Sequence, residues 1–491
     1  MSDSSLAALD GEQLQTQSRL EPNAIGVAQD TVIGMASSAP AASIALTLAL
    51  IAGVTAYGSG LIILLTAIPM LVIANAYRRL NLWNANCGAS FEWVGRAINP
   101  YLGFLTGWLM VAAYIIATVS GVEVLGPSVL AVFGNNSSNS WGYIAIGTAV
   151  ALVMLVIAVV GIKITARSQV AMAVVEYGIL LGISAWALVA VLGHHTGTYP
   201  VRSGWFSLSG IGGKGSMVGG FLAAVFMFTG WDGTVYVNEE VRHRRANPGR
   251  AALMAVALLA IIYTFCTFSL QGAVSPSALQ KNSGSALVYI AQSLGGGSWA
   301  KVMALALALS VIATTGTGIV LTSRLVYGMA SYRVLPEFLG NVSRRFATPV
   351  WASIIVGFLI IALTWVYLLT STVQAAFDYV VDVTGILFAV FYVLTALATI
   401  AYYRVRIFSG VKDWIVLGLL PLAAAGFLVW MVVQDLRTAG SAGTPELISC
   451  AGVLGLGLVL MLVARFGLRS AFFGIRREKA GAEAPSQLTG A

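Results

Sequence analysis

Charge is scarce in this chain. Of 491 residues only 27 are Lys or Arg and 19 are Asp or Glu, or 9% charged, against about 25% in soluble domains. That scarcity excludes an ordinary soluble surface. Cysteine and histidine are scarcer still. Cys87, Cys266 and Cys450 are scattered in or near apolar segments, which excludes a disulfide framework or a cysteine metal centre. With only three histidines, nothing clusters a nucleophile, a base or metal ligands as an embedded enzyme would need. No signal-peptide pattern is visible. Residues 1–24 are polar, with Asp3, Asp10, Glu12 and Glu21, and read as a disordered cytoplasmic tail.

Apolar sequence fills the space that charge leaves. The chain is 58% hydrophobic with mean hydropathy +0.86, and a spanning helix needs about 20 apolar residues. Twelve spans are predicted, at 25–54, 57–79, 100–133, 141–161, 166–192, 216–238, 250–274, 298–330, 349–370, 374–402, 412–433 and 445–467. Twenty basic residues between Arg78 and Lys479 fall on one side, against Arg202, Lys214, Lys281, Lys301 and Arg437 on the other. The richer side is cytoplasmic, so both termini lie inside. The net charge of +8 belongs to those loops rather than to a nucleic-acid surface.

Two spans are interrupted at related places. Ser37-Ser38-Ala39-Pro40-Ala41-Ala42 breaks the first, and Thr229-Gly230-Trp231-Asp232-Gly233-Thr234 breaks the sixth. A bilayer cannot satisfy freed backbone groups, so such a break must line a cavity or a ligand. A repeat supports the pairing. Gly88–Ile98 is similar to Gly284–Leu294 at an offset of 196, and Ile116-Ala117-Thr118 to Ile312-Ala313-Thr314. The same offset carries Gly34 onto Gly230. The expected organisation is a tail at 1–24, a first repeat at 25–215, a second at 216–411, two further spans at 412–467 and a C-terminal tail at 468–491. Five spans per repeat make the second copy inverted, with a site near the midplane.

The breaks carry the candidate substrate chemistry. Backbone N–H groups at Ala41-Ala42-Ser43 could hold a carboxylate. Carbonyls near Ala36-Ser37 and Phe228-Thr229 could hold an ammonium. Ser37, Ser38, Ala39, Ala41, Ala42, Phe228, Thr229, Gly230, Trp231 and Asp232 are therefore the expected substrate-binding residues. Pro40 alone would make a packing kink. Trp231 is either a lid and cation–π face or a packing residue.

Acids at membrane depth are functional candidates. Glu176 lies near the midplane of span 5 and is the first choice for proton exchange; the alternative is a carboxylate paired with a helix end or with Arg324. Glu123, Asp378 and Asp382 lie in outer halves of spans 3 and 10, in structural or vestibular positions. Thr314 and Thr315, with Thr317, could offer oxygens to Na⁺ or bond back to their own helix. Glu239 and Glu240, before Arg242, His243, Arg244 and Arg245, read as a charged hinge or a solvated loop. His194 and His195 are outer-loop residues with no assigned role.

These motifs resemble those of the amino acid–polyamine–organocation transporter superfamily. The resemblance rests on Gly88–Ala97 through Trp108, on Phe226–Asp232 with Asn238–Val241 and Pro248–Ala251, and on Ser323–Met329 with Leu335-Pro336 and Thr348-Pro349. It runs from about residue 25 to 467 and implies an all-α, leucine-transporter-like fold: twelve helices, a five-plus-five inverted repeat, and broken helices 1 and 6. It also implies a permease rather than an enzyme. Two departures stand out. The family's first break usually reads Gly-Ser-Gly, and its fifth helix often carries a lysine at the position that the resemblance matches to Glu176 here. The expected function is cation-coupled import of an amino acid, with an amine carrier or an exchanger as the alternative. The coupling ion would be H⁺ or Na⁺ and no other cofactor is implied. The expected location is a bacterial inner membrane; oligomeric state is not legible.

Overall fold

The computed structural model describes residues 20–135, 140–195, 197–207, 214–370, 373–439 and 444–478. The side chains of Glu123, Asp378 and Asp382, and the tail residues 1–19 and 479–491, lie outside the described residues.

The helices begin where the sequence supplies starts. The first span is α1 (Val27–Ser37) and α2 (Pro40–Thr55). Pro40 opens α2 because the first helical position has no intrahelical use for an N–H. Then follow α3 (Ser59–Trp83), the short α4 (Ser90–Ala97), α5 (Pro100–Ser120), α6 (Val122–Val132), α7 (Ser140–Val160) and α8 (Ile162–Leu192). Asn99 caps α5 by accepting from Tyr101 N at 2.8 Å. The second half holds α9 (Lys214–Met227), a 3₁₀ turn at Trp231–Val235, α10 (Asn247–Leu270), α11 (Pro276–Lys281), α12 (Ala286–Gly295), α13 (Gly297–Ser331), α14 (Val350–Thr370) and α15 (Val373–Tyr403). Two last helices, α16 (Leu420–Ala439) and α17 (Thr444–Leu462), complete the chain.

Among the described residues twelve apolar helical stretches are long enough to cross a bilayer, from Val27–Gly53 to Leu447–Gly467, and each overlaps a predicted span. Span 3 is one helical stretch, Pro100–Val132, in which α5 and α6 meet at Gly121. The offset of 196 reappears in three dimensions: Ser90 opens α4 and Ala286 opens α12, so both similar loops fold as short helices.

Burial sorts the spans into centre and rim. In span 6, 94% of the apolar window is buried, and 78% in spans 1 and 8. Span 12 buries only 17%, and Ile448, Leu456, Val459 and Leu462 face outward as a lipid-contacting surface. The broken spans therefore sit inside the bundle. There α1 packs on α8, α10 and α13, and α9 packs on α2. An isolated parallel bridge ties Ile25 to Val241: Ile25 N donates to Glu240 O at 3.2 Å and Arg242 N to Ile25 O at 2.9 Å. The start of span 1 is thus fastened to the segment following span 6.

Candidate functional site

Each break is closed by its own backbone before it meets the other. At the end of α1, Ser38 N donates to Met35 O at 3.1 Å and Ala39 N to Ala36 O at 3.2 Å. Ala39 then takes φ 46°, a left-handed conformation that crowds a Cβ. At the end of α9, Phe228 N and Thr229 N bond back to Val225 O and Phe226 O, each at 3.0 Å. Gly230 follows at φ 99°. The two breaks are in contact. A Cβ on Gly230 would lie 2.6 Å from Ser37 O, and one on Gly34 would lie 2.9 Å from Trp231 O. Only glycine lets the two backbones approach this closely.

The N-terminus of α2 is occupied by side chains from distant helices. Ala41 N donates to Glu176 Oε1 at 3.0 Å. Ala42 N donates to Ser310 Oγ at 3.3 Å. Glu176 is buried on α8, and the positive end of a helix favours an anion. Arg324, an alternative partner for Glu176, is engaged elsewhere. Tyr263 adds a hydroxyl that donates to Ser38 O at 3.3 Å, and its ring meets Phe228 edge-on at 5.3 Å.

The second break presents Asp232 in an aromatic cage. Tyr392 donates to Asp232 Oδ1 at 2.8 Å and Tyr236 to Oδ2 at 3.1 Å. Trp231 stacks on Tyr392 at 5.4 Å and meets Tyr77 edge-on at 5.1 Å. Tyr114 packs on Tyr236 at 5.8 Å and reaches Gly230 O at 3.5 Å. Trp231 and Asp232 are fully buried, and the Trp231 Nε1 has no hydrogen-bond acceptor among the described residues. Among the described residues no Lys, Arg or His pairs with Asp232 or Glu176. Both Asp232 oxygens thus accept from tyrosine hydroxyls beside stacked aromatic rings, with no counter-cation among the described residues.

The span 8 hydroxyls have local partners. Thr314 Oγ1 lies 2.7 Å from Ala36 O and 2.9 Å from Ser310 O, linking α13 to the end of α1. Thr315 bonds back to Val311 O at 2.8 Å, and Thr317 to Ala313 O at 3.2 Å. Of the remaining expected residues, Ser38, Ala41, Ala42, Phe228 and Thr229 are buried, while Ser37 and Ala39 are half-buried, as is Thr314.

In the charged segment after span 6 Glu240 is buried and Glu239 half-buried, while Arg242, His243, Arg244 and Arg245 are exposed. Glu240 makes a bidentate pair with Arg324 at 3.1 and 3.2 Å, both side chains fully buried. Glu239 accepts from Cys87 N at 3.1 Å. Asn238 Nδ2 donates to Asn81 Oδ1 at 3.0 Å and Asn86 O at 2.8 Å. Burial pushes the Glu239 and Glu240 carboxyls above their ordinary range, opposed by the Cys87 amide and the Arg324 guanidinium respectively.

Sequence reasoning passed over several residues. Asp30 lies in α1, fully buried, and neither carboxyl oxygen has a hydrogen-bond partner among the described residues. Its signal was present as an acid within the first apolar run. Tyr77, Tyr114, Tyr236 and Tyr392 come from separate parts of the chain, and no local pattern announces their convergence.

Comparison with known proteins assigns the family. The family described as "Amino acid permease" matches residues 27–459, and the chain belongs to it. The chain is similar to the Asc-type amino acid transporter 1 of Mus musculus, 33% identical over 135 residues, 28% of this chain and 25% of that protein. It is also similar to the low-affinity putrescine importer PlaP of Escherichia coli (strain K12), 24% identical over 302 residues, 59% of this chain and 63% of that protein. The matched region thus spans about a quarter of the former and under two thirds of the latter. Among solved structures, MhsT in complex with L-phenylalanine superposes with a TM-score of 0.57 at 16% identity, covering 84% of this chain and 99% of that one. The fold is therefore that of the leucine transporter, in a multi-pass membrane protein of a permease family.

Proposed function

We propose that this permease is a secondary active transporter that imports a small amino-bearing solute, an amino acid or a related amine, by cation-coupled alternating access. The observation that carries this reading is the pair of touching breaks, with Asp232 buried in a tyrosine and tryptophan cage at one of them. Broken spans facing each other inside a bundle are the arrangement that alternating access uses. The names of the relatives, an amino acid transporter and a putrescine importer, support an amino group as the common element. The setting is a bacterial cytoplasmic membrane with both termini inside.

For coupling, Glu176 is the group placed to exchange a proton, since it sits at the helix end whose exposure changes as the bundle rocks. Sodium at Thr314 and Thr315 is the rival, and their existing bonds to Ala36 O and Val311 O would have to yield to the ion. The test is uptake of radiolabelled amino acids and amines into proteoliposomes, with a pH gradient and a sodium gradient imposed separately. Asp232→Asn should reduce uptake by about tenfold or more, because a bond to a charged partner contributes about 1.5–3 kcal/mol. Uptake unchanged by Asp232→Asn would remove the ammonium site, and uptake indifferent to both gradients would remove the coupling.

A further inference from the structure

The accounting of backbone donors at the start of α2 leaves nothing over. A helix begins with N–H groups that have no intrahelical acceptor, and each buried one must find a partner. Pro40 has no N–H. Ala41 N donates to Glu176 Oε1 at 3.0 Å, Ala42 N to Ser310 Oγ at 3.3 Å, and Ser43 N already bonds to Ala39 O at 2.7 Å. The position at which an amino acid's carboxylate could dock on this half-helix is filled by a carboxylate the chain carries itself. Asp232 at the opposite break is a second acid, and no cationic side chain pairs with either among the described residues. A third carboxylate would meet like charge and find no free backbone donor at the start of α2.

We propose that Glu176 is a specificity-determining residue, a tethered carboxylate that stands in for the one an amino acid would bring, so that the substrate is an amine without an α-carboxylate. This rests on the transport reading above and narrows its substrate class. The ammonium is recognised at Asp232 and the aromatic rings. In its ionised form Glu176, held by Ala41 N, compensates the helix terminus whether or not substrate is present. In a relative whose helix terminus is vacant, the substrate would have to supply that charge.

The test uses the full chain in proteoliposomes and matched pairs: ornithine with putrescine, and phenylalanine with phenethylamine. In the wild type the amines should be taken up at least about tenfold better than their parents, the factor that one charge-assisted bond supplies. Glu176→Ala frees Ala41 N. It should narrow or invert the ratio, and millimolar acetate should restore amine uptake. Glu176→Gln keeps an acceptor for Ala41 N while losing the charge, so amine uptake should fall with amino acids still rejected. A purely structural role would lower both members of each pair together and gain nothing from acetate. Wild-type protein that takes up the amino acids as well as the amines overturns the proposal, as does a ratio unmoved by Glu176→Ala. If Glu176→Ala does not fold, Ser310→Ala frees Ala42 N alone and should move the ratio the same way by a smaller factor; no movement overturns the proposal. A folded wild type that transports neither member would instead sink the transport reading, which keeps the two failures apart.

Discussion

Both breaks close on their own backbone, but the new helix start in span 1 is capped from afar, whereas in span 6 the backbone N–H groups of the turn bond locally and distant tyrosines reach Gly230 O and the side chains of Trp231 and Asp232. In span 1 the new helix start is capped by Glu176, 135 residues away from Ala41, and by Ser310, 268 residues away from Ala42. Ala39 carries the left-handed turn despite its Cβ. In span 6 glycine takes the equivalent turn, Gly233 N returns to Gly230 O at 2.9 Å, and Tyr236 holds Asp232 from four residues on. A break built on local bonds can persist while its surroundings move. One built on remote side chains is coupled to the helices that carry them. Rocking α8 or α13 against α1 and α2 would therefore disturb the first break before the second.

Substitutions can break or sharpen this contrast. The largest effect is expected from Gly230→Ala, whose Cβ would lie 2.6 Å from Ser37 O in a left-handed conformation that itself costs about 1–2 kcal/mol. Thermal unfolding in detergent should fall sharply, and a wild-type melting temperature would show that the breaks do not need this approach. Next is Asp30→Asn. An unpartnered buried carboxyl costs more than an amide there, and relief should be on the order of 1–3 kcal/mol, read as a raised melting temperature at neutral pH. A lowered one would mean that Asp30 has a role in the folded core. Ser310→Ala should cost about 1 kcal/mol, the loss of one N-cap bond, by the same assay. The smallest change is Ala39→Gly. It relieves the positive φ but adds freedom to the unfolded chain, for a net gain under about 1 kcal/mol. If it destabilises instead, the left-handed alanine is not strained and the contrast at the turns fails.

Removing one partner of the Glu240–Arg324 pair provides a reference outside the breaks. Glu240→Ala strands a buried guanidinium and should cost about 3–5 kcal/mol. Comparable loss at Gly230 would rank the break contact with the lock that holds span 8 to the segment after span 6.

Much of the architecture was legible because its causes are local. Apolar runs long enough to span, Pro40 at a helix start, glycine at 230 and the shared offset of 196 each act over a few residues or repeat visibly along the chain. The span 8 threonines could be read only as alternatives, since the same hydroxyl can face an ion or its own helix. Arg324 was considered for Glu176, yet Glu240 takes it; both acids are chemically suitable, and only proximity in space chooses between them.

By itself the sequence determined a twelve-span helical membrane protein broken in spans 1 and 6, because hydropathy and backbone breakers report the bilayer and the interruption directly. Only the tertiary structure decided which acid meets which partner: Glu176 at the helix start of α2, Asp232 among the tyrosines, Asp30 with none. The Glu176–Ala41 and Asp232–Tyr392 bonds join positions more than a hundred residues apart, and hydrogen bonds of about 3 Å depend on packing that no linear pattern records.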